Sequence, residues 1–280
     1  MTVRIVTDST SDIPATFAHD LGISVVPLSV IFGDEVYKEG IDITHDLFYD
    51  KLVHSKAMPT TSAPSVGDFL AVYEPLLKET DEIVSFHISS KLSATYNNAC
   101  QAAEQLADRG AHIEVVDTLS VSFGLSFVAQ AAARAANSGA GIEEIRAIAD
   151  RMIPRLRILV VLDTLEYVRR GGRIGRARAF LGTMLKVKPI LSFRDGEVHP
   201  EERVRTKTLA LERLLQIATS YRIKQAGIGY STNAQDAEDL KHRMEAMVPG
   251  VDISIVRLGP VLGVHGGPGT LGIGIREGED

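Results

Sequence analysis

Short apolar runs alternate with longer amphipathic stretches through the first half of the chain. The runs are rich in Val, Ile and Phe, which is typical of strands, and they occupy residues 3–6, 25–32, 83–88 and 113–116. Helical spacing of apolar positions predicts helices at residues 44–54, 65–78, 92–107, 123–137 and 143–151. Strand, crossover helix and strand in succession predict a mostly parallel sheet with helices on both faces.

The second half continues this alternation with more strands. Strand-like runs occupy residues 158–162, 189–193, 198–203, 225–230, 253–258 and 271–275, and helices are predicted near 177–185, 206–220 and 237–247. The sequence DGE at 195–197 predicts a hairpin turn. We therefore predict two α/β domains, residues 1–158 with a mostly parallel sheet and residues 159–280 with a second sheet. A ligand site is expected in the cleft between them, because such clefts are favoured ligand sites.

Composition narrows the class of protein. A length of 280 residues fits about two domains, and the net charge of −6 argues against a nucleic-acid binder. Cys100 is the single cysteine, which excludes an internal disulfide and a cysteine-rich zinc site. The N-terminal residues do not read as a signal peptide, and no run approaches about 18 consecutive apolar residues. We expect a cytoplasmic protein that does not span a membrane.

Several familiar motifs fail on this chain. The sequence GPGTLG at 267–272 matches a dinucleotide-binding fingerprint, but too little chain follows it to build the required strand–helix–strand unit. The sequence has no P-loop and no nucleophile elbow, and its eight histidines are dispersed. We therefore predict neither a metal site nor a cofactor.

Two polar segments follow predicted strands of the first half. TDSTSD (7–12) follows the first strand and SSKLSATY (89–96) follows the run at 83–88. Ligands of open parallel sheets bind outside the carboxyl ends of the strands. Ser, Thr and Asp are also the favoured helix caps, and capping explains most of these hydroxyls equally well. Ser93 is different, because we expect it inside the first helical turn, where free N–H groups favour anions.

Two further segments carry candidate chemistry. His265 lies in the glycine-rich stretch HGGPGTLGIG, where it is a structural histidine, a hydrogen-bond donor to a carboxylate or a base. RRGGRIGRAR (169–178) holds five arginines, and its glycines argue for a loop that presents Arg170 and Arg173. That cluster is either a solvated charged surface or a docking or phosphate site.

Taken together, these segments resemble the DegV family of bacterial fatty-acid-binding proteins, which includes the carrier subunit of fatty acid kinase. The resemblance covers nearly the whole chain. The matching segments, in order, are TDSTSD, TTSAPS (60–65), SSKLSATY, VVDTLSVSFG (115–124), LEYVRRGGRIG (165–175), LKVKPIL (185–191) and HGGPG (265–269).

The resemblance implies a two-domain α/β protein that encloses one long-chain fatty acid and has no catalytic residue of its own. It assigns the carboxylate contacts to Thr61, Ser93 and His265, with Ser62 as a neighbour. Arg173 and Arg170 are implied to lie on the surface that meets a separate kinase resembling a dihydroxyacetone kinase. That kinase phosphorylates the bound carboxylate, and an acyltransferase at the membrane is a further implied partner.

The chain departs from the family pattern at three positions. Ala63 stands where Gln is frequent, Ala94 where Gly is frequent, and Gly266 where Thr is frequent. The change at Ala63 removes one polar side chain near the expected head group.

Two other classes of function compete with a lipid carrier. A serine hydrolase would use Ser93 and His265, but the sequence offers no convincing third residue. A DNA-binding regulator would use residues 169–178, but the net charge and the missing helix-turn-helix pattern argue against it.

Overall fold

The computed structural model describes residues 2–55, 57–182 and 187–278. The strands are β1 (Arg4–Asp8), β2 (Ile23–Val26), β3 (Ser29–Phe32), β4 (Glu35–Lys38), β5 (Thr60–Ser62), β6 (Glu82–His87), β7 (His112–Asp117), β8 (Leu156–Val161), β9 (Lys188–Arg194), β10 (Glu197–Val204), β11 (Ile223–Tyr230), β12 (Ile253–Arg257) and β13 (Leu271–Glu277). The helices are α1 (Ala15–Leu21), α2 (His45–His54), α3 (Val66–Leu76), α4 (Thr95–Ala107), α5 (Phe123–Asn137), α6 (Ile142–Met152), α7 (Glu166–Arg170), α8 (Lys207–Ala218), α9 (Ala234–Met247) and α10 (Pro260–Gly266).

The N-terminal half is built on a parallel sheet in the order β2-β1-β6-β7, as predicted. Its strands are apolar and largely buried because helices cover both faces. The chain leaves β1, β6 and β7 at the same edge, so the segments at 9–14, 88–94 and 118–122 meet there. The predicted placement of TDSTSD and SSKLSATY after strands of a parallel sheet is therefore confirmed.

The apolar run at 25–32 is two strands rather than one. β2 joins the parallel sheet, whereas β3 joins a separate antiparallel sheet in the order β4-β3-β5. Pro27 stands between them, and proline cannot donate to a sheet ladder, so the run divides there. The small sheet carries Thr61 on its β5 edge, where Thr61 pairs with Val30.

The C-terminal half is a mixed sheet in the order β10-β9-β8-β13-β11-β12. The predicted hairpin between β9 and β10 is confirmed, with Asp195 at φ 50° and Gly196 at φ 78°. Two consecutive residues with positive φ make a two-residue turn whose twist matches the flanking strands. The sheet begins at Leu156, so the predicted domain boundary after residue 158 falls inside its first strand.

Most predicted helices are confirmed to within a few residues, with informative exceptions. α4 begins at Thr95 rather than near residue 92, because residues 90–92 form a turn. The short helices α7 and α10 were not predicted. The helix expected near 177–185 is a 3₁₀ helix over Gly175–Phe180, and residues 183–185 of that prediction lie outside the described residues.

Separate apolar cores hold the two halves. One lies between the parallel sheet and α5 and α6, and includes Phe86, Leu125 and Ile145. Another lies between the six-stranded sheet and α8 and α9, and includes Leu214 and Met244. α10 belongs to the C-terminal half in sequence but packs with α2 and β3 of the N-terminal half. This helix ties the halves together beside the cleft.

Candidate functional site

An apolar cavity lies between the two halves, where the cleft was expected. It contains about 1050 Å³ of space free of atoms, including its mouth. Leu28, Ile88 and Phe123 contribute walls from the N-terminal half, and Ile158 and Leu191 contribute walls from the six-stranded sheet.

One end of the cavity is polar. Thr61, Ser93, Arg173 and His265 all line this cavity, although they lie on four different segments of the chain. The Oγ1 atom of Thr61 is 3.0 Å from Nε2 of His265. Three of the four residues that the sequence assigned to the carboxylate are therefore brought to one cavity.

The environment of His265 keeps its ring neutral. Burial, and secondly the charge of Arg173, lower the pKa of His265 to about 4. Its Nδ1 atom is buried, has no hydrogen-bond partner in the described part of the chain, and faces Gly171. A Cβ at Gly171 would lie 2.2 Å from that nitrogen, so only glycine lets the ring sit here. The ligand-facing nitrogen is then Nε2, beside Thr61.

The pairing of Thr61 with His265 suits an incoming carboxylate. A neutral imidazole whose Nδ1 carries the lone pair has its proton on Nε2, which can donate to the Thr61 hydroxyl. The Thr61 proton is then available to a ligand oxygen. This neutral pair still has one free donor, the Thr61 hydroxyl, and can therefore bind an anion without a charged partner.

Ser93 lies in the loop before α4, so the prediction that it sits in the first helical turn is wrong. The turn at residues 90–92 ends just before it. Its hydroxyl is 2.8 Å from Oγ1 of Thr95 and accepts a hydrogen bond of 3.3 Å from the Thr95 N–H. Ser93 is thus held by the helix start, with its side chain lining the cavity.

Arg173 is half-buried between the cavity and a second depression. We define the basic groove as the depression lined by Lys91, Arg173, Arg176, Arg178 and Glu197. Arg173 donates from Nε to the carbonyl of Leu92 and from Nη1 to that of Gly171. These bonds use two of the five guanidinium N–H groups, so donors remain for an anion at the cavity mouth. Its role in docking stays a prediction.

The remaining predicted site residues lie outside the cavity. Side chains alternate along β5, so Thr61 faces the cavity while the exposed Ser62 donates to the carbonyl of Ala63. Arg170 is the last residue of α7 rather than part of a loop, and it pairs with Glu166 at 2.5 Å.

The geometry does not assemble the alternative hydrolase. His265 contacts Thr61 rather than Ser93, and within the described residues no carboxylate contacts its Nδ1. An acid–histidine–serine chain does exist elsewhere, from Asp8 through His87 to Ser85, with contacts of 3.0 and 2.7 Å. All three residues have an exposed fraction of 0%, so no substrate reaches them. That chain is a structural network of the parallel sheet.

Two carboxyl groups that the sequence did not single out hold α10 in place. Asp12 accepts from the N–H of Gly259 at 2.9 Å and Glu39 accepts from the N–H of Val261 at 2.8 Å. Burial is the largest cause of their pKa shifts, which raise Asp12 to about 7 and Glu39 to about 8. The sequence places Asp12 in TDSTSD and Glu39 in no motif, and only the fold shows that both bind the start of α10.

These carboxyl groups predict a pH dependence of folding. In the unfolded chain these two carboxyl groups lose their protons near pH 4. In the folded state Asp12 keeps its proton up to a pKa of about 7 and Glu39 up to a pKa of about 8. Stability from these groups is therefore greatest below about pH 4 and falls as pH rises to about 8. Glu39→Gln should lose less stability than the wild type between about pH 5 and pH 8, measured by denaturant unfolding. Glu212→Gln, at an exposed position of α8, is the control, and its free energy of unfolding should change with pH as that of the wild type does. The same pH dependence in Glu39→Gln as in the wild type and the control would contradict this prediction.

The chain is similar to proteins of one classified family and to proteins of known structure. A family model described as "uncharacterised protein, DegV family" matches residues 2–278. A DegV domain-containing protein of Halalkalibacterium halodurans is 38% identical, with 97% of each chain covered. A structure described as fatty acid binding of a DegV family protein from Thermus thermophilus has 35% identity and a TM-score of 0.91, covering 99% of this chain and 100% of that one. A stearic-acid-binding protein from Eubacterium ventriosum has 26% identity and a TM-score of 0.92, with 98% of each chain covered.

Proposed function

Because the chain belongs to the DegV family, we propose that it binds one long-chain fatty acid in the cavity between its halves. The observation that carries the proposal is the lining of that cavity, which is mostly apolar and includes the polar group Thr61, Ser93, Arg173 and His265. Solved structures of the family described as fatty-acid-binding proteins support it.

The tail supplies the binding free energy. Burial of methylene groups contributes about 0.8 kcal/mol each, so a chain of about sixteen carbons gains on the order of 10 kcal/mol before ordering and desolvation costs. The described residues include no helix long and apolar enough to cross a membrane.

The head group fixes the position of the ligand and adds a smaller share of the affinity than the tail. Thr61 and Ser93 supply hydroxyls, and Arg173 supplies a positive charge at the mouth. Two other hydroxyls line the cavity, but Ser122 donates to Asp12 and Thr270 donates to the carbonyl of Gly267. The carboxylate is thus expected at the end where hydroxyls are available, beside the basic groove.

The finer proposal is that the protein presents this carboxylate to a separate kinase. The basic groove meets the cavity at Arg173, so a phosphate donor or an acidic partner surface would approach the head group there. The protein itself supplies no catalytic group in this scheme. A cytoplasmic location and transfer of the acyl group to a membrane acyltransferase belong to the same proposal.

Substitution of Arg170 separates binding from presentation. Arg170 is exposed, pairs only with Glu166 among the described residues, and lies outside the cavity. We expect Arg170→Ala to retain one labelled palmitate per chain in equilibrium dialysis. Phosphorylation of the palmitate bound to this variant, by a dihydroxyacetone-kinase-like fatty acid kinase with ATP, should fall roughly tenfold, as a lost interfacial arginine contact would give.

The matched control is Arg243→Ala. Arg243 is exposed on α9, and α9 packs against the face of the six-stranded sheet that does not border the cavity. This variant should leave both readouts unchanged. Equal rates of phosphorylation of the palmitate bound to Arg170→Ala and to the wild type would show that Arg170 is not part of the proposed docking surface. A wild-type protein that takes up no palmitate would remove the carrier function itself.

A further inference from the structure

Four glycines form a bare patch in the middle of the six-stranded sheet. Gly227 pairs with Gly274, and Gly229 pairs with Gly272, on the neighbouring strands β11 and β13. Side chains alternate across a sheet, so all four glycines share the face that carries Ile158 and Val160 of β8. This is the face that borders the cavity.

The ring of Phe123 fills half of this patch. A Cβ at Gly227 would lie 2.1 Å from the ring, and a Cβ at Gly274 would lie 2.3 Å from Cβ of Phe123. The start of α5 therefore inserts Phe123 into the sheet at a place that only glycines leave open. Phe127 lies behind the ring, with centroids 5.7 Å apart, and belongs to the packed core of the N-terminal half.

Gly272 is the least covered glycine of the patch, because a Cβ at Gly229 would lie 2.7 Å from the Leu258 side chain and Phe123 covers the other two. A Cβ at Gly272 would meet atoms of the adjacent strand only, the nearest being the carbonyl oxygen of Leu159 at 3.1 Å. Gly272 also lies nearest to the polar end, since Thr270 packs against the α10 residue Gly266 that follows His265. Gly274 is two residues farther along β13, roughly 6.6 Å at about 3.3 Å per residue.

An acyl tail that starts at the polar end therefore passes over Gly272 and reaches Phe123. We infer that the Phe123 ring, seated on Gly227 and Gly274, is the end stop that sets the longest acyl chain the cavity accepts. This inference rests on the proposed fatty-acid binding and adds the residue that determines chain length. The packed core behind the ring leaves the tail no continuation.

Competition among saturated fatty acids tests the assignment. Delipidated wild-type, Phe123→Leu and Phe123→Ala proteins are incubated with an equimolar mixture of acids of about twelve to about twenty carbons, and the bound acids are extracted and quantified. Phe123→Ala should raise the ratio of the acid two carbons longer than the wild-type optimum to the optimum itself by roughly tenfold, as burial of two more methylene groups would give. Phe123→Leu removes fewer atoms and should shift the ratio less, in the same direction.

Phe127→Ala is the matched control, because it removes the same atoms one turn later from a core residue that does not line the cavity. It should lower the thermal midpoint and keep the wild-type length profile. An unchanged profile in both Phe123 variants, with the wild type loaded, would overturn the end stop while leaving the carrier function intact. A wild type that extracts no acid from the mixture would instead refute the carrier function.

Discussion

His265→Ala is expected to weaken palmitate binding by roughly tenfold to a hundredfold, the value of the hydrogen bond that the Thr61 hydroxyl donates to the charged carboxylate when the ring orients it. The ring positions the Thr61 hydroxyl through a contact of 3.0 Å, and Thr61 in turn faces the cavity. Removing the ring frees that hydroxyl to rotate and opens space beside Gly171. Equilibrium dialysis with labelled palmitate measures the loss directly.

The same arrangement fixes the pH profile of binding. Since burial and Arg173 lower the pKa of His265 to about 4, the ring stays neutral from about pH 6 to pH 8. Wild-type affinity should therefore not show a histidine titration in that range. His242→Ala, at an exposed position of α9, is the control and should bind as the wild type does. Binding by His265→Ala within about threefold of the wild type would show that the ring does not position the head group.

Asp8→Ala is expected to cause the largest loss of folding stability, roughly 3–5 kcal/mol. The Asp8 carboxylate is fully buried and accepts hydrogen bonds from the N–H groups of Thr10 and Ile88, each at 3.0 Å, and from the ring of His87. Each donor stranded without a partner costs about 1–3 kcal/mol, because no water replaces the lost acceptor. The shift of the guanidinium chloride midpoint measures the effect.

This loss has a functional consequence, because Ile88 lines the cavity and its backbone is fixed by Asp8. The variant should therefore also retain less palmitate. Asp20→Ala is the matched control, since the Asp20 side chain is 74% exposed and its substitution should change stability by no more than about 0.5 kcal/mol. A midpoint for Asp8→Ala equal to that of the control would mean that the buried network does not support the sheet.

The strands of the parallel sheet were predictable because their apolar runs are short, buried and separated by helices of regular period. The prediction of one strand at residues 25–32 was wrong, because apolar periodicity does not distinguish one long strand from two that join different sheets. Pro27 was the available signal for the break. The short helix α10 could not be predicted, since its stability comes from contacts with α2 and β3 rather than from its own sequence.

The site was predictable in its membership but not in its geometry. Thr61, Ser93 and His265 came from a family resemblance, and the fold brings them to one cavity. Strand alternation, which decides that Ser62 faces away, requires knowing that residues 60–62 form an edge strand. Three polar residues in a row do not signal that.

Long-range contacts account for the features that sequence reasoning missed. Burial raises the pKa values of Asp12 and Glu39, which bind the start of α10, more than 200 residues away along the chain. The glycines of β11 and β13 appear in the sequence as ordinary strand interruptions. Their shared role becomes visible only when the register pairs them beneath Phe123.

Native mass spectrometry of the purified protein, followed by solvent extraction of whatever is released, shows whether the cavity holds a fatty acid. We expect one bound molecule per chain with the mass of a long-chain fatty acid, displaced when a labelled acid is added in excess. A protein that carries no such molecule, and takes none up after incubation with fatty acid, would contradict the claim that this cavity is a lipid site.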